Sequence, residues 1–187
     1  MLEHQQPLDT LPQAGGGHPV DEGRFRVKLA ESGLLLLQSP SESALQDALS
    51  SEIALRLPAP GETSSRGNYV LLWLTPAEWL LECRVKDTGS LHTALTRRLA
   101  TSLAIVTDMS DALACFELSG ARTDDILMSG CSLDLRADIF PAGRVARTSL
   151  AGISAIIRRT GEPHGFRCLV DRSYARPIRD WLLMPTR

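Results

Sequence analysis

The residues of this 187-residue chain best suited to hold a metal or to attack a substrate are four cysteines, Cys83, Cys115, Cys131 and Cys168, and four histidines, His4, His18, His92 and His164. A structural zinc site usually takes cysteine pairs separated by only a few residues, and no two of these cysteines lie that close. Cys115 and Cys168 sit inside apolar, strand-like runs, where a thiol behaves as a small hydrophobe. All four are expected to be reduced and structural, as in a reducing compartment. A nucleophilic cysteine would need a base within reach. The histidines instead fall in the N-terminal segment, beside Pro19, on an expected helix and in a turn rich in Gly and Pro.

The acid pairs are Asp108 with Asp111, Asp124 with Asp125, and Asp134 with Asp138. Each has a local explanation. Asp108 and Ser110 can bond the amides of a tight connection between strands, Asp124 and Asp125 suit the first turn of a helix that opens after Ser119 or Gly120, and Asp134 and Asp138 belong to a loop. A Walker-type G-x-x-x-x-G-K-[ST] loop is absent, as are G-x-S-x-G and H-E-x-x-H. The one glycine cluster, GGGHPVDEG, neither follows a strand nor opens a helix, so it is a poor phosphate cradle. The residues therefore assign this chain no catalytic, cofactor-binding or metal-ligating position.

Hydrophobic residues make up 43% of the chain and charged residues 22%, the proportions of an ordinary globular protein. The longest apolar runs, residues 34–37 and 69–74, are far shorter than the roughly 20 residues a membrane helix needs. No basic leader is readable in MLEHQQPLDT, which makes the cytoplasm the expected compartment. The net charge of -2 conceals an acidic start and an Arg-rich end. Those arginines are scattered among apolar residues without interleaved aromatics, which argues against nucleic acid as a partner.

The elements that would carry these residues are legible in outline. Residues 1–24 hold Pro7, Pro12, Pro19 and several glycines and are expected to form an extended arm, with Leu2, Leu8, Leu11 and Val20 as apolar anchors. Residues 25–187 read as one α+β domain. Ser39-Pro40-Ser41-Glu42 predicts a helix with Ser39 as N-cap and Ala44, Leu45, Ala48 and Leu49 on its inner face. Thr75-Pro76-Ala77-Glu78 predicts a single helical turn. Further helices are expected over about 90–100 and 174–183, the last capped by Ser173 and burying Tyr174, Ile178, Trp181 and Leu182. Strands are expected at YVLLWL, LLECRV, SLAIVT, ALACFEL, GRVARTSL, GISAIIRR and GFRCLV. Neighbours such as 103–107 and 112–118 read as hairpins, so a mainly antiparallel sheet with packed helices is the expected architecture.

The order of motifs across the second half is more specific. VTDMSDALACFELSG, GCSLDLRADIFPAGRVARTSL and HGFRCLVDRSYARPIRDWLL, with LLWLTPAEWLLE upstream, resemble the gamma-subunit family of heterotetrameric sarcosine oxidases over about residues 70–183. Among these pieces, Phe140-Pro141-Ala142-Gly143 reads independently as a turn that leads into RVARTSL. The resemblance implies the fold of the folate-binding aminomethyltransferases, with two similar, intertwined halves at about 25–100 and 101–187. It also implies that the partners are the alpha, beta and delta subunits, chiefly the large alpha subunit. FAD, FMN, NAD and tetrahydrofolate would sit on those partners and none on this chain.

One departure from the wider aminomethyltransferase pattern bears on chemistry. In those enzymes the strand after the position of Gly152 carries an acidic pair associated with folate and amine chemistry, whereas here it reads Gly152-Ile153-Ser154-Ala155-Ile156-Ile157. Neither Ser nor Ala can hold a charge near neutral pH in place of a carboxylate. The resemblance therefore implies a non-catalytic subunit of a complex that demethylates sarcosine to glycine. The alternative is a free-standing folate- or small-ligand-binding protein of the same fold.

Overall fold

The computed structural model describes residues 25–184, so the expected arm at 1–24 lies outside the described residues. Strand β2 (Gly33–Gln38) has leucine at four successive positions, and a strand apolar on both faces must be covered on both. That requirement recurs along the chain and produces four layers. The strands are β1 (Arg26–Ala30), β2, β3 (Thr63–Arg66), β4 (Tyr69–Thr75), β5 (Glu78–Cys83), β6 (Ile105–Asp108), β7 (Leu113–Ser119), β8 (Val145–Leu150), β9 (Ile153–Arg159) and β10 (Phe166–Asp171). The helices are α1 (Glu42–Ile53), α2 (Val85–Arg98), α3 (Thr123–Met128) and α4 (Ala175–Leu183).

Two five-stranded antiparallel sheets form, in the orders β3-β4-β5-β2-β6 and β8-β9-β10-β7-β1. Chain order explains the match between them. The chain runs β-β-α-β-β-β-α twice, from β1 to α2 and from β6 to α4, and each run lends its leading strand to the sheet of the other. This is the α+β fold of two similar, intertwined halves. The expected hairpin of 103–107 with 112–118 is corrected by the exchange: β6 pairs with β2 in one sheet, β7 with β1 and β10 in the other.

Packing follows from alternation. Leu35, Leu37, Leu71, Trp79 and Leu81 meet Leu45, Leu49, Leu91 and Leu95 of α1 and α2. Phe116, Leu118, Ile157, Phe166 and Cys168 meet Ile126, Leu127, Ile178 and Leu182 of α3 and α4. The opposite faces, with Leu34, Leu72, Leu80, Cys115, Ile156 and Leu169, close on each other between the sheets. At one corner the sheets are stitched by backbone bonds from Thr63 to the Gly143 carbonyl (2.8 Å) and from Val145 to the Gly61 carbonyl (3.0 Å). Gly143 has φ +85 at the third position of a turn closed by Arg144 N to the Pro141 carbonyl, the conformation in which glycine is favoured.

Several local expectations shift. Ser41, not Ser39, caps α1, accepting from the Ala44 amide at 3.4 Å, while the Ser39 hydroxyl is committed to Ser41 itself, donating to its carbonyl at 2.9 Å and accepting from its amide at 3.2 Å. Thr75-Pro76-Ala77-Glu78 is a hairpin turn between β4 and β5, with Thr75 opposite Glu78, since both flanks are strands that pair. Helix α2 starts at Val85 without a side-chain cap, so the strand reading of LLECRV ends at Cys83. Asp171 rather than Ser173 caps the last helical segment, and a 3-10 turn over Arg172–Tyr174 leaves Tyr174 exposed. Ile178 and Leu182 are buried as expected, and Trp181 is half-buried.

Trp181 packs where Gly130 leaves room. A Cβ at Gly130 would lie 2.4 Å from the indole ring. Gly130→Ala is expected to cost about 1 to 3 kcal/mol, the usual penalty of forcing an extra carbon into a packed site. Chemical denaturation checks it: Trp181→Leu should remove most of the penalty in the double variant, and equal penalties in both backgrounds would refute the contact.

Candidate functional site

Strand alternation places a row of four charged residues on the inter-sheet face of one sheet. Arg158, Arg167, Glu117 and Lys28 stand directly opposite one another on β9, β10, β7 and β1, forming a row across the sheet. Glu82 of β5 reaches into this row from the other sheet. Its Oε2 accepts from Arg158 Nη2 at 2.8 Å and from Arg167 Nη1 at 2.9 Å. Arg167 Nη2 also donates to Glu117 Oε1 at 3.0 Å and to Ser32 Oγ at 3.2 Å, and Lys28 Nζ lies 3.8 Å from Glu117. Side-chain exposure climbs along the row from 11% at Arg158 to 73% at Lys28, so it runs from the interior to the edge of the sheet. Glu82 is 3% exposed, which denies it to any substrate.

Cys115 lies two residues from Glu117 on β7. Burial pushes its thiol up to about 12, against the help of the Arg167 guanidinium. Burial likewise raises Cys83 and Cys168, and Cys131 is the half-buried member of the set. A raised native pKa favours the neutral thiol, so this part of the stability is intact below the ordinary thiol pKa and is lost as pH rises through about 12. At pH 8, Cys131 is expected to react first with a disulfide reagent and the other three only as the chain opens. A fast burst from all four would contradict the packing.

A second cluster fixes α3 and the loop after it to β9. The Arg159 guanidinium lies 4.4 Å above the Phe166 ring, donates to Asp124 Oδ2 at 2.9 Å and also bonds the Leu135 carbonyl. His164 Nδ1 is 3.4 Å from the other Asp124 oxygen. Asp124, expected in the first turn of a helix, is there and is spoken for. The β6–β7 connection is built as its side chains suggest: Asp108 Oδ1 accepts from the Ser110 amide (2.9 Å) and hydroxyl (2.6 Å), while Ser110 Oγ accepts from the Leu34 amide (3.0 Å). Asp134 binds Arg136, which holds its carboxyl below the usual range. His92 Nε2 meets the Val106 carbonyl at 3.1 Å.

The structure thus separates the chemistry-bearing residues instead of gathering them. Among the described residues no three His, Cys, Asp or Glu side chains converge as metal ligands would. The strand after Gly152 presents Ile153, Ser154, Ala155, Ile156 and Ile157 from a hairpin whose loop residues, Ala151 and Gly152, both have positive φ. No carboxylate stands on it. A shallow groove of about 460 Å³ lies beside β6, lined by Pro40, Ala77, Leu103 and Ile105 together with the polar Gln38, Ser39, Thr75 and Glu78. Sequence reasoning missed the ionic row. Its signal was two glutamates, Glu82 and Glu117, and two arginines, Arg158 and Arg167, set within largely apolar strands.

A four-layer sandwich of two strand-exchanged units is the aminomethyltransferase fold. Glycine cleavage system aminomethyltransferase T from Bartonella henselae shares that fold, with a TM-score of 0.68 at 16% identity over 88% of this chain and 47% of that one. Residues 39–185 match the sarcosine oxidase, gamma subunit family, and the chain belongs to that family. It is 30% identical over 138 residues to the sarcosine oxidase subunit gamma of Corynebacterium sp. (strain U-96), covering 73% of this chain. To that of an Arthrobacter species it is 32% identical over 123 residues, 64% of this chain. These matches span 66% and 59% of the relatives' own lengths. Heterotetrameric sarcosine oxidase from Corynebacterium sp. U-96, solved in complex with pyrrole 2-carboxylate, contains a chain that superposes with a TM-score of 0.78 at 28% identity, over 88% of this chain and 84% of that one.

Proposed function

We propose that this chain is the non-catalytic gamma subunit of a heterotetrameric sarcosine oxidase, an oxidoreductase complex that demethylates sarcosine to glycine in a tetrahydrofolate-linked reaction. The observation that carries this reading is the fate of the carboxylates. The strand after Gly152 has none, and Glu82, the most deeply placed acid of the inter-sheet face, is closed off between two guanidiniums. A scaffold needs its charges satisfied internally, whereas an enzyme needs one turned toward substrate.

FAD, FMN, NAD and tetrahydrofolate belong in this reading to the alpha, beta and delta subunits, with the large alpha subunit as the main contact. The complex would be cytoplasmic; no helix among the described residues is long and apolar enough to cross a membrane. The chain would comprise residues 25–187 as one domain and 1–24 as an arm that orders on a larger subunit. Absorbance of the purified chain tests the assignment of cofactors. A bare protein spectrum is expected, and stoichiometric flavin or a copurified pterin band would overturn it.

A further inference from the structure

The two exchanged strands occupy equivalent places, each at the free edge of the sheet it joins. They are not equally guarded. Strand β1 carries Arg26 and Lys28, both exposed, and charge along an edge discourages another chain from pairing with it. Strand β6 reads Ile105-Val106-Thr107-Asp108 and carries one charge, at its last position, where Asp108 is taken up by the Ser110 amide and hydroxyl. Ile105 is 60% exposed, and Leu103, just before it, is 88% exposed.

The backbone of β6 is available as well. Val106 gives its carbonyl to His92 instead of to β2, so in the antiparallel alternation the amides of Val106 and Asp108 point to the open side. Leu103 and Ile105 line the groove of about 460 Å³ with Pro40 and Ala77. The carboxylate in its lining is already paired: Glu78 Oε1 accepts from Gln38 at 2.8 Å and Oε2 from Arg147 at 3.0 Å. A trough whose exposed surface is mostly apolar and whose one carboxylate is paired, beside unpaired strand amides, fits an uncharged occupant in extended conformation.

We propose that β6 and this groove receive an extended, uncharged apolar segment of a larger partner subunit, which adds to the sheet as a further strand. The inference rests on the subunit reading above. Main-chain bonds to Val106 and Asp108 supply the pairing, and Leu103 and Ile105 supply the apolar contact.

The test coexpresses the chain with its cognate alpha, beta and delta subunits and measures copurification. Ile105→Lys and Leu103→Asp are each expected to lower recovery of the chain with the complex by on the order of tenfold or more, a loss of about 1.4 kcal/mol per decade. Both side chains are exposed, so the melting temperature of the isolated variants should not change. Val85→Lys and Ile139→Lys, at exposed apolar positions elsewhere, should copurify like wild type. Hydrogen exchange should slow at the Val106 and Asp108 amides only in the complex. Stoichiometric recovery of both Ile105→Lys and Leu103→Asp while wild type assembles would overturn this inference alone. Failure of wild type to copurify would overturn the subunit reading and the inference with it. Self-association of the isolated chain that Ile105→Lys abolishes would make a second copy the occupant and overturn it too.

Discussion

Glu82→Ala is expected to lower the unfolding free energy by about 3 to 5 kcal/mol, the usual cost of stripping the partner from a buried charge. The substitution leaves Arg158 between the sheets without its counterion and Arg167 with Glu117 alone. A domain of this kind has only about 5 to 15 kcal/mol in total, so the variant could fail to accumulate. The same origin predicts a recovery that no other explanation supplies. Glu82→Leu combined with Arg158→Leu replaces an ion pair by apolar volume among Leu80, Ile156 and Leu169 and should be more stable than Glu82→Leu alone, since well-packed apolar replacements of buried pairs are often neutral. Urea unfolding of the three proteins decides it. A Glu82→Leu chain as stable as wild type would show that the row contributes nothing.

Phe166→Ala should be comparably severe, at about 3 to 5 kcal/mol for a fully buried aromatic. Phe166 is 1% exposed and packs in the cluster that seats α3 and α4, and its ring also carries the Arg159 guanidinium. Two effects are therefore superposed and can be told apart. Phe166→Leu keeps most of the apolar volume and loses chiefly the cation–π contact, about 0.5 to 2 kcal/mol. Denaturation midpoints should fall in the order wild type, Phe166→Leu, Phe166→Ala. Equal effects of the two substitutions would mean that the guanidinium contact, not burial, sets the cost.

Much of the fold is legible in the residues because its cues are local. Asp108 and Ser110 announce a bonded connection, Phe140 to Gly143 announces a turn, and seven of the strands stand out by alternation or by apolar runs. The exchange of β1 and β6 is not legible, because the short link Met109–Ala112 looks the same whether it closes a hairpin or crosses from sheet to sheet. Strand β3, Thr-Ser-Ser-Arg, is wholly polar and exists through pairing with β4 and the stitch at Gly143. Helix α2 starts early without a capping side chain, so its first turn carries no sequence mark.

The ionic row was hidden for a different reason. Arg167 alternates with Phe166 and Cys168, which reads as a polar outer face, yet that face is covered by a second sheet. A covered polar face can be recognised only once the partner of its charge is known. Glu82, the partner, lies 85 residues away in sequence.

Reconstitution with and without this chain is the most direct measurement. The cognate alpha, beta and delta subunits are purified, this chain is purified separately, and sarcosine-dependent oxygen uptake is followed for each and for the mixture. The chain alone should show no bound flavin and no turnover, and it should enter a stoichiometric complex with the other three that oxidises sarcosine. Turnover by the isolated chain, or a fully assembled and active enzyme that never takes it up, would contradict the proposal that it is a non-catalytic gamma subunit.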